Sequence, residues 1–207
     1  MSSTKGNAIK ARKKGNDVFY TPVKLVKEIM TVVKDDLKDG DKVLDAFCGK
    51  KVFYNNYPPN VVKDWAEISE GRDFFECGET DWIITNPPYS ILNKVIDHSA
   101  KICKKGFGYL IHYHNLTTPR VNRILKDFRF RLTKMYLCNV HNWYSSQVFV
   151  LFEKIADDAD EETGEEFAPD FQNAINPNYY PDGFNCWLGV SPKTIYPDDD
   201  SKKDGQK

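Results

Sequence analysis

Short apolar runs alternate along the chain with longer stretches in which apolar residues recur every three or four positions. A short apolar run bounded by turn formers is typical of a buried strand, and the recurring pattern is typical of an amphipathic helix. The strand-like runs are residues 42–47, 60–66, 81–86, 107–114, 130–140 and 147–155. The helix-like stretches are residues 21–40, 91–103 and 118–128. This alternation predicts an α/β fold with a doubly wound, mostly parallel sheet and an antiparallel closing strand.

Two local signals refine this prediction. Thr21 is followed by Pro22, so we expect Thr21 to cap the first helix and Pro22 to occupy its first position. That helix is expected to end near Gly40. Only about a dozen residues separate the strand at 42–47 from the strand at 60–66, so a helix between them has at most two turns.

The composition fits one domain of ordinary size, because the chain has 207 residues of which 41% are hydrophobic. We expect this domain to span residues 17–155, after a flexible basic arm at residues 1–16 and before an acidic, irregular extension at residues 156–207. Five cysteines without a Cys-x-x-Cys pair indicate free thiols in a reducing compartment. The sequence shows neither a signal peptide nor an apolar run long enough to span a bilayer, which predicts a cytoplasmic protein without a membrane partner.

The net charge of −1 hides an uneven distribution. Eight of the 30 acidic residues lie in one block at residues 157–170, so 22 acids face 29 bases in the rest of the chain. Basic residues collect in the N-terminal arm and again after the middle of the chain. In the second group, Arg120, Arg123 and Lys126 are candidates for contact with the phosphates of a nucleic acid. The alternative is that they form only the solvated face of a helix.

The strand-like run at residues 81–86 stops on Asn86-Pro87-Pro88-Tyr89. Proline lacks the N–H that a strand needs, so Asn86 and Tyr89 are expected at the carboxyl end of a strand, where open α/β sheets bind ligands. The amide oxygen of Asn86 and a nearby carbonyl are two acceptors for the two hydrogens of an exocyclic NH2 group, and Tyr89 is placed to stack on the ring that carries it. The alternative is an ordinary turn.

This tetrapeptide resembles the fourth motif of the amino-methyltransferases, in which Asp, Asn or Ser is followed by Pro-Pro and an aromatic residue. The Asn-Pro-Pro-Tyr form is most similar to that of the enzymes that methylate N6 of adenine in DNA. The resemblance implies S-adenosylmethionine as cofactor, DNA or RNA as partner and a flipped target base. It also implies four catalytic residues, which are Asn86, Pro87, Pro88 and Tyr89.

Three upstream segments resemble cofactor motifs of the same family, in one of its known orders. They are Phe19-Tyr20-Thr21-Pro22, the stretch from Val43 to Gly49, and Glu67-Ile68 with the following Asp73-Phe74. The resemblance places the first two against the methionine part of the cofactor and Asp73-Phe74 on the adenine. Glu67 follows the second predicted strand, where an acidic group is placed to accept from ribose hydroxyls as in dinucleotide-binding folds. The implied cofactor-binding residues are Tyr20, Thr21, Asp45, Phe47, Gly49, Glu67, Ile68, Asp73, Phe74 and Asn86.

The second segment departs from the family pattern at two positions. Ala46 stands where proline is common, and Lys51 stands where the family has a second glycine. Either Lys51 pairs with the carboxylate of the cofactor, or its side chain fills the space that the cofactor needs.

Four further candidates lie downstream. His112 and His114 share one face of the predicted strand, but no third ligand is near them in sequence and methyl transfer to an amino group needs no metal, so none is expected. Trp143 and Gln147 lie near the target base in the arrangement that the resemblance implies, or they are core and surface residues.

Two other functions stay open. The first is a methyltransferase fold that has lost catalysis and binds a nucleic acid or a protein. The second is methyl transfer to an RNA base or to a glutamine amide of a protein, because these groups also carry an NH2 on a planar carbon.

Overall fold

A mixed sheet forms the centre of the computed structural model, which describes residues 20–140, 143, 147–155, 185–186 and 193–195. Six main strands are β1 Lys42–Asp45, β2 Val62–Trp65, β3 Thr80–Thr85, β4 Cys103–His112, β5 Phe130–Val140 and β6 Gln147–Lys154. Their order across the sheet is β2-β1-β3-β4-β6-β5. The first four run parallel, and β6 lies antiparallel between β4 and β5. The predicted doubly wound fold with an antiparallel closing strand is confirmed.

Helices cover both faces of this sheet. They are α1 Val23–Val33, α2 Val52–Asn56, α3 Leu92–Ile102 and α4 Thr118–Asn122. Helices α1 and α2 pack with Trp82 and Ile84 of β3 on one face, while α3 and α4 pack with Ile83 on the other. Because successive strand residues point to opposite faces and both faces are buried, the strands read as continuous apolar runs.

Helix α1 differs from its prediction at both ends. It begins at Val23, with Pro22 as the extended residue before it, so Thr21 is not the cap. It ends at Val33 rather than near Gly40, and at this end the carbonyl of Val32 accepts from the Lys134 ammonium at 2.9 Å. The Asp36 amide, which a continuing helix would direct to Val32, donates to Val33 instead.

The connections on the β2 side of the sheet are short. Helix α2 has five residues, which confirms that the first crossover has at most two turns. Between β2 and β3 the chain forms two 3-10 turns, Ile68–Glu70 and Phe74–Glu76. In the strand order, β2 is an edge of the sheet among the strands that the structure describes.

The other predicted elements are close to the observed ones, with three differences. Strand β4 begins at Cys103, four residues earlier than expected. The helix expected at residues 118–128 is α4 followed by a π-helical turn, Arg123–Asp127. Within the extension that was expected to be irregular, β7 Asn185–Cys186 and β8 Lys193–Ile195 pair in parallel with β5. The expected N-terminal arm lies outside the described residues.

Candidate active site

The segments predicted to form the site meet at one edge of the sheet. Because β1, β2, β3 and β4 are parallel, their carboxyl ends lie side by side, and this is where ligands bind in open α/β sheets. Two loops are central. We call residues 86–89, after β3, the Asn-Pro-Pro-Tyr loop, and residues 48–51, after β1, the glycine loop.

In the Asn-Pro-Pro-Tyr loop, the Asn86 amide is oriented by a residue far away in sequence. Its Nδ2 donates to the Thr21 hydroxyl at 3.2 Å, across 65 positions of the chain. Both prolyl bonds are trans, and Pro88 is extended before the 3-10 turn Tyr89–Ile91 that leads into α3. With the nitrogen directed at Thr21, the amide oxygen lies at the opposite end of the group. Two residues that the resemblance assigns to the site are therefore in direct contact.

Tyr89 is held by two side chains from the centre of the sheet. Its hydroxyl donates to Gln147 Oε1 at 3.3 Å, and its ring lies 4.7 Å from the His112 ring at an interplanar angle of 71°. Gln147 Nε2 also donates to His112 Nδ1 at 3.2 Å. Gln147 and His112 are both buried. The sequence left open whether Gln147 lies near the target base or is a core or surface residue. In the structure it is a core residue that contacts the Asn-Pro-Pro-Tyr loop.

The histidine pair predicted on one strand face is separated in the structure. His112 is the last residue of β4, while His114 belongs to the 3-10 turn Tyr113–Asn115 and packs on the Tyr113 ring. In the described part of the chain, no group of three or more His, Cys, Asp or Glu side chains is arranged to hold a metal ion.

Asp45 joins residues that flank the two loops. Its carboxylate accepts from the Thr85 hydroxyl at 2.8 Å and from the Tyr54 amide at 3.2 Å. The side chain is only 1% exposed, and this burial raises the pKa of Asp45 to about 7. Asp45 thus lies beneath the loops, in contact with the residue that precedes Asn86.

The glycine loop has a left-handed backbone at two positions. Gly49 has a φ of +46° and Lys51 a φ of +60°. The exposed Tyr20 ring lies over Gly49, where a Cβ would be 3.8 Å from it, and the Lys50 ammonium lies 4.3 Å from the centre of the same ring. The Gly49 amide donates to Glu67 Oε2 at 2.9 Å, which joins the glycine loop to the turn after β2.

Lys51 faces away from this contact. Its ammonium lies 2.8 Å from Glu70 Oε2 and 3.9 Å from the centre of the Trp65 ring. The lysine that replaces the second glycine of the family pattern thus has its charge compensated on the β2 side of the site.

The remaining cofactor candidates lie on the two 3-10 turns after β2. Ile68 is 73% exposed, whereas Phe74 is buried between the rings of Phe47 and His98. The exposed aromatic residue of this segment is Phe75, at 39%. Phe74 is therefore a core residue, and Phe75, which the sequence analysis did not select, is the one that reaches the surface.

Asp73 caps the second of these turns. Its carboxylate accepts from the Phe75 amide at 3.0 Å, and it lines a cleft of about 320 Å³. The other lining residues are Lys42, Leu44, Asp64, Gly71, Arg72, Glu76, Cys77, Gly78 and Thr80. Because Lys42 and Thr80 begin β1 and β3, this cleft extends toward the amino ends of the strands.

The candidate phosphate-binding residues are partly engaged within the protein. Arg120 donates to the Asn93 side chain at 2.9 Å and to the Asn115 carbonyl, and Arg123 lies 2.9 Å from Asp97 of α3. Lys126 is exposed. The structure thus gives Arg120 a role in fixing the turn that follows β4.

Comparison with known proteins places the fold. No protein-family model and no curated protein sequence matches the chain. A magnesium protoporphyrin IX methyltransferase from Synechocystis PCC 6803 with bound SAM has a TM-score of 0.53 and 13% identity, over 64% of this chain and 79% of that one. The fold is that of the S-adenosylmethionine-dependent methyltransferases.

Two further solved structures agree with this fold. A putative class I S-adenosylmethionine-dependent methyltransferase from Listeria monocytogenes has a TM-score of 0.53 and 14% identity, over 74% of this chain and 68% of that one. A putative RNA methyltransferase from Pyrococcus horikoshii has a TM-score of 0.50 and 12% identity, over 65% and 83%. None of the helices that the structure describes is long and apolar enough to cross a membrane.

Proposed function

We propose that this protein transfers a methyl group from S-adenosylmethionine to the N6 amino group of adenine in DNA, acting on a flipped base. The observation that carries the proposal is the orientation of the Asn86 amide by Thr21, at the carboxyl end of the central strand β3. Because the amide nitrogen of Asn86 donates to Thr21, the amide oxygen points in the opposite direction. An amide oxygen is an acceptor for the hydrogens of an amino group.

The target side of the site supplies binding and orientation. In the proposed complex, Asn86 Oδ1 and the Pro87 carbonyl each accept one hydrogen of the adenine N6 group, and the Tyr89 ring stacks on the base. Extrusion of a base from a duplex costs roughly a few kcal/mol, which stacking and two hydrogen bonds offset. As the N–C bond forms, the bond between the methyl carbon and the cofactor sulfur would break, with S-adenosylhomocysteine as the leaving group. The amino proton would then pass to solvent, so no general base is assigned.

The cofactor side fits S-adenosylmethionine by the chemistry of its residues. Gly49 exposes a backbone without a Cβ, and it lies beside the Glu67 carboxylate, an acceptor for hydroxyl groups. Ile68 and Phe75 expose apolar surface on the same segment, which suits an adenine ring. When bound, the cofactor supplies the electrophilic methyl group.

One experiment tests the reaction and its substrate together. The protein is incubated with S-adenosylmethionine labelled in its methyl group and, in separate reactions, with DNA, RNA or a protein extract. We expect label in DNA, as N6-methyladenine. Label only in RNA or only in protein would show that the substrate is wrong, and the absence of calorimetric heat with S-adenosylmethionine would favour a binding protein that has lost catalysis.

The Asn86→Ala variant tests the site itself. We expect methyl transfer to fall by about a thousandfold, to background, while the affinity for S-adenosylmethionine stays close to that of the unmodified protein. Asn55→Ala is a matched control, because Asn55 is an exposed amide on α2. Full activity in Asn86→Ala would contradict the assignment.

A further inference from the structure

Gln147 is an unusual residue for its position. It is completely buried at the start of β6, where the five residues that follow it are all apolar and buried. Burying an apolar side chain there would cost less free energy, because a buried amide is unfavourable unless it is hydrogen-bonded. Both ends of the Gln147 amide are used, one for Tyr89 and one for His112.

The sheet places these groups with little freedom. Gln147 lies opposite His112 in the β4/β6 register and opposite Cys138 in the β5/β6 register, so it is fixed from both sides. The amide has its Nε2 end at His112, where it donates to Nδ1 of the imidazole in the tautomer that leaves Nδ1 unprotonated, and its Oε1 end at Tyr89, where it accepts from the hydroxyl. The His112 ring also contacts the Tyr89 ring, so the three side chains form a closed triangle.

We propose that Gln147, with its amide direction set by His112, is a positioning residue that fixes the Tyr89 ring for stacking on the target base. This inference rests on the proposed function. A tyrosine ring at the end of a loop rotates about two side-chain bonds, and the hydroxyl contact and the histidine ring contact restrict both rotations. The target base then meets a ring that is already oriented, so the ordering cost is not incurred in the complex.

A double-mutant cycle tests the proposal. Gln147→Met removes both hydrogen bonds with little change in volume, and Tyr89→Phe removes only the hydroxyl. We expect each change to lower kcat by about five- to tenfold, which corresponds to the loss of one hydrogen bond, with the KM for S-adenosylmethionine unchanged. The double variant should be no slower than the single ones, because both act through the same bond. Additive losses, or an unchanged kcat in Gln147→Met, would overturn the proposal.

A second measurement does not depend on activity. In protein labelled with 3-fluorotyrosine, the 19F resonance of Tyr89 is identified by its loss in Tyr89→Phe. We expect this resonance in Gln147→Met to move toward the position of exposed tyrosines; an unmoved resonance would contradict the inference. If the unmodified protein methylates nothing, the proposed function fails while the resonance still decides whether Gln147 orients the ring.

Tyr109→Phe is the matched control. It removes another buried tyrosine hydroxyl, which is bonded to Ser99, from the same sheet outside the site. It should lower stability and leave kcat and the Tyr89 resonance unchanged. If Tyr109→Phe lowered kcat equally, the effect of Gln147→Met would be explained by a general loss of stability. That result would count against a role of Gln147 in positioning Tyr89.

Discussion

The Asn-Pro-Pro-Tyr loop and the glycine loop leave neighbouring strands at the same edge of the sheet, yet different forces determine their conformations. The first contains two prolines and is held by Thr21 and by the buried Gln147. The second relies on left-handed backbone at Gly49 and Lys51. The Gly49 amide and the Lys51 ammonium donate to carboxylates that are partly or largely exposed, Glu67 and Glu70.

This difference indicates how each half of the site responds to its surroundings. Proline restricts the chain before folding, and partly buried hydrogen bonds between neutral groups are screened little by salt, so the Asn-Pro-Pro-Tyr loop is organised in advance. Bonds to exposed carboxylates are weak and depend on solution conditions. We therefore expect the cofactor side to be the adaptable half, and Asp45, which lies beneath both loops, to be the group through which pH affects them together.

The largest effect is expected from Asp45. Burial raises the pKa of Asp45 to about 7, whereas the pKa of an Asp in an unfolded chain is about 4. Between these values the folded protein keeps a proton that the unfolded chain has lost, so the free energy of unfolding falls as pH rises, by up to about 1.4 kcal/mol per pH unit. The free energy of unfolding stops falling above about pH 7, where Asp45 is ionised in both states. Urea unfolding at a series of pH values should show this slope in the unmodified protein and not in Asp45→Asn.

Asp41→Asn supplies a control of opposite sign. Burial alone would raise the pKa of Asp41, but hydrogen bonds from Lys105, the Lys38 amide and Trp82 outweigh it and lower this pKa. The contribution of Asp41 is therefore present at neutral pH and lost as pH falls through the lowered pKa. If both variants changed the pH profile in the same direction, the interpretation of Asp45 as a buried, protonated group would be wrong.

A smaller effect is expected at the glycine loop. A side chain at the left-handed Gly49 costs about 1–2 kcal/mol in backbone strain, although the added Cβ would meet the Tyr20 ring at an ordinary 3.8 Å. Gly49→Ala should lower stability by about that amount and weaken binding of S-adenosylmethionine in a calorimetric titration. Gly40→Ala matches the strain outside the site, because Gly40 also has a positive φ and open space around it. Equal cofactor affinities in the two variants would contradict a role for Gly49.

The sequence predicted the sheet well because its strands are buried on both faces. Short apolar runs such as residues 82–84, bounded by polar residues and turn formers, have few competing interpretations, and the residues after them fall at one edge of a parallel sheet. The contacts that orient the site were harder to predict. The bond from Asn86 to Thr21 spans 65 positions, and the bond from Lys134 to the end of α1 spans 102. A pattern of local periodicity contains no information about such pairs.

Two site residues show where a local signal existed and where it did not. Gln147 is a polar residue at the head of an apolar run, which marks it as a candidate for a buried polar contact. Phe74 and Phe75 are adjacent and chemically identical, and which of them faces the core depends on the 3-10 turn that carries them. The assignment of Phe74 to the cofactor, made from the resemblance, stays a prediction that its burial disfavours.

The smallest effect is expected from Lys51→Gly, which distinguishes two roles for this lysine. The change relieves a left-handed backbone and removes a partly exposed ion pair with Glu70, opposing effects of similar size, so stability should change little. Since the ammonium faces Glu70 and Trp65, we expect the affinity for S-adenosylmethionine to be unchanged in a calorimetric titration. A weaker affinity would show that Lys51 turns to the cofactor carboxylate, and a stronger one that its side chain obstructs the site. Either result would make the glycine loop a mobile element, in contrast to the loop that carries Asn86.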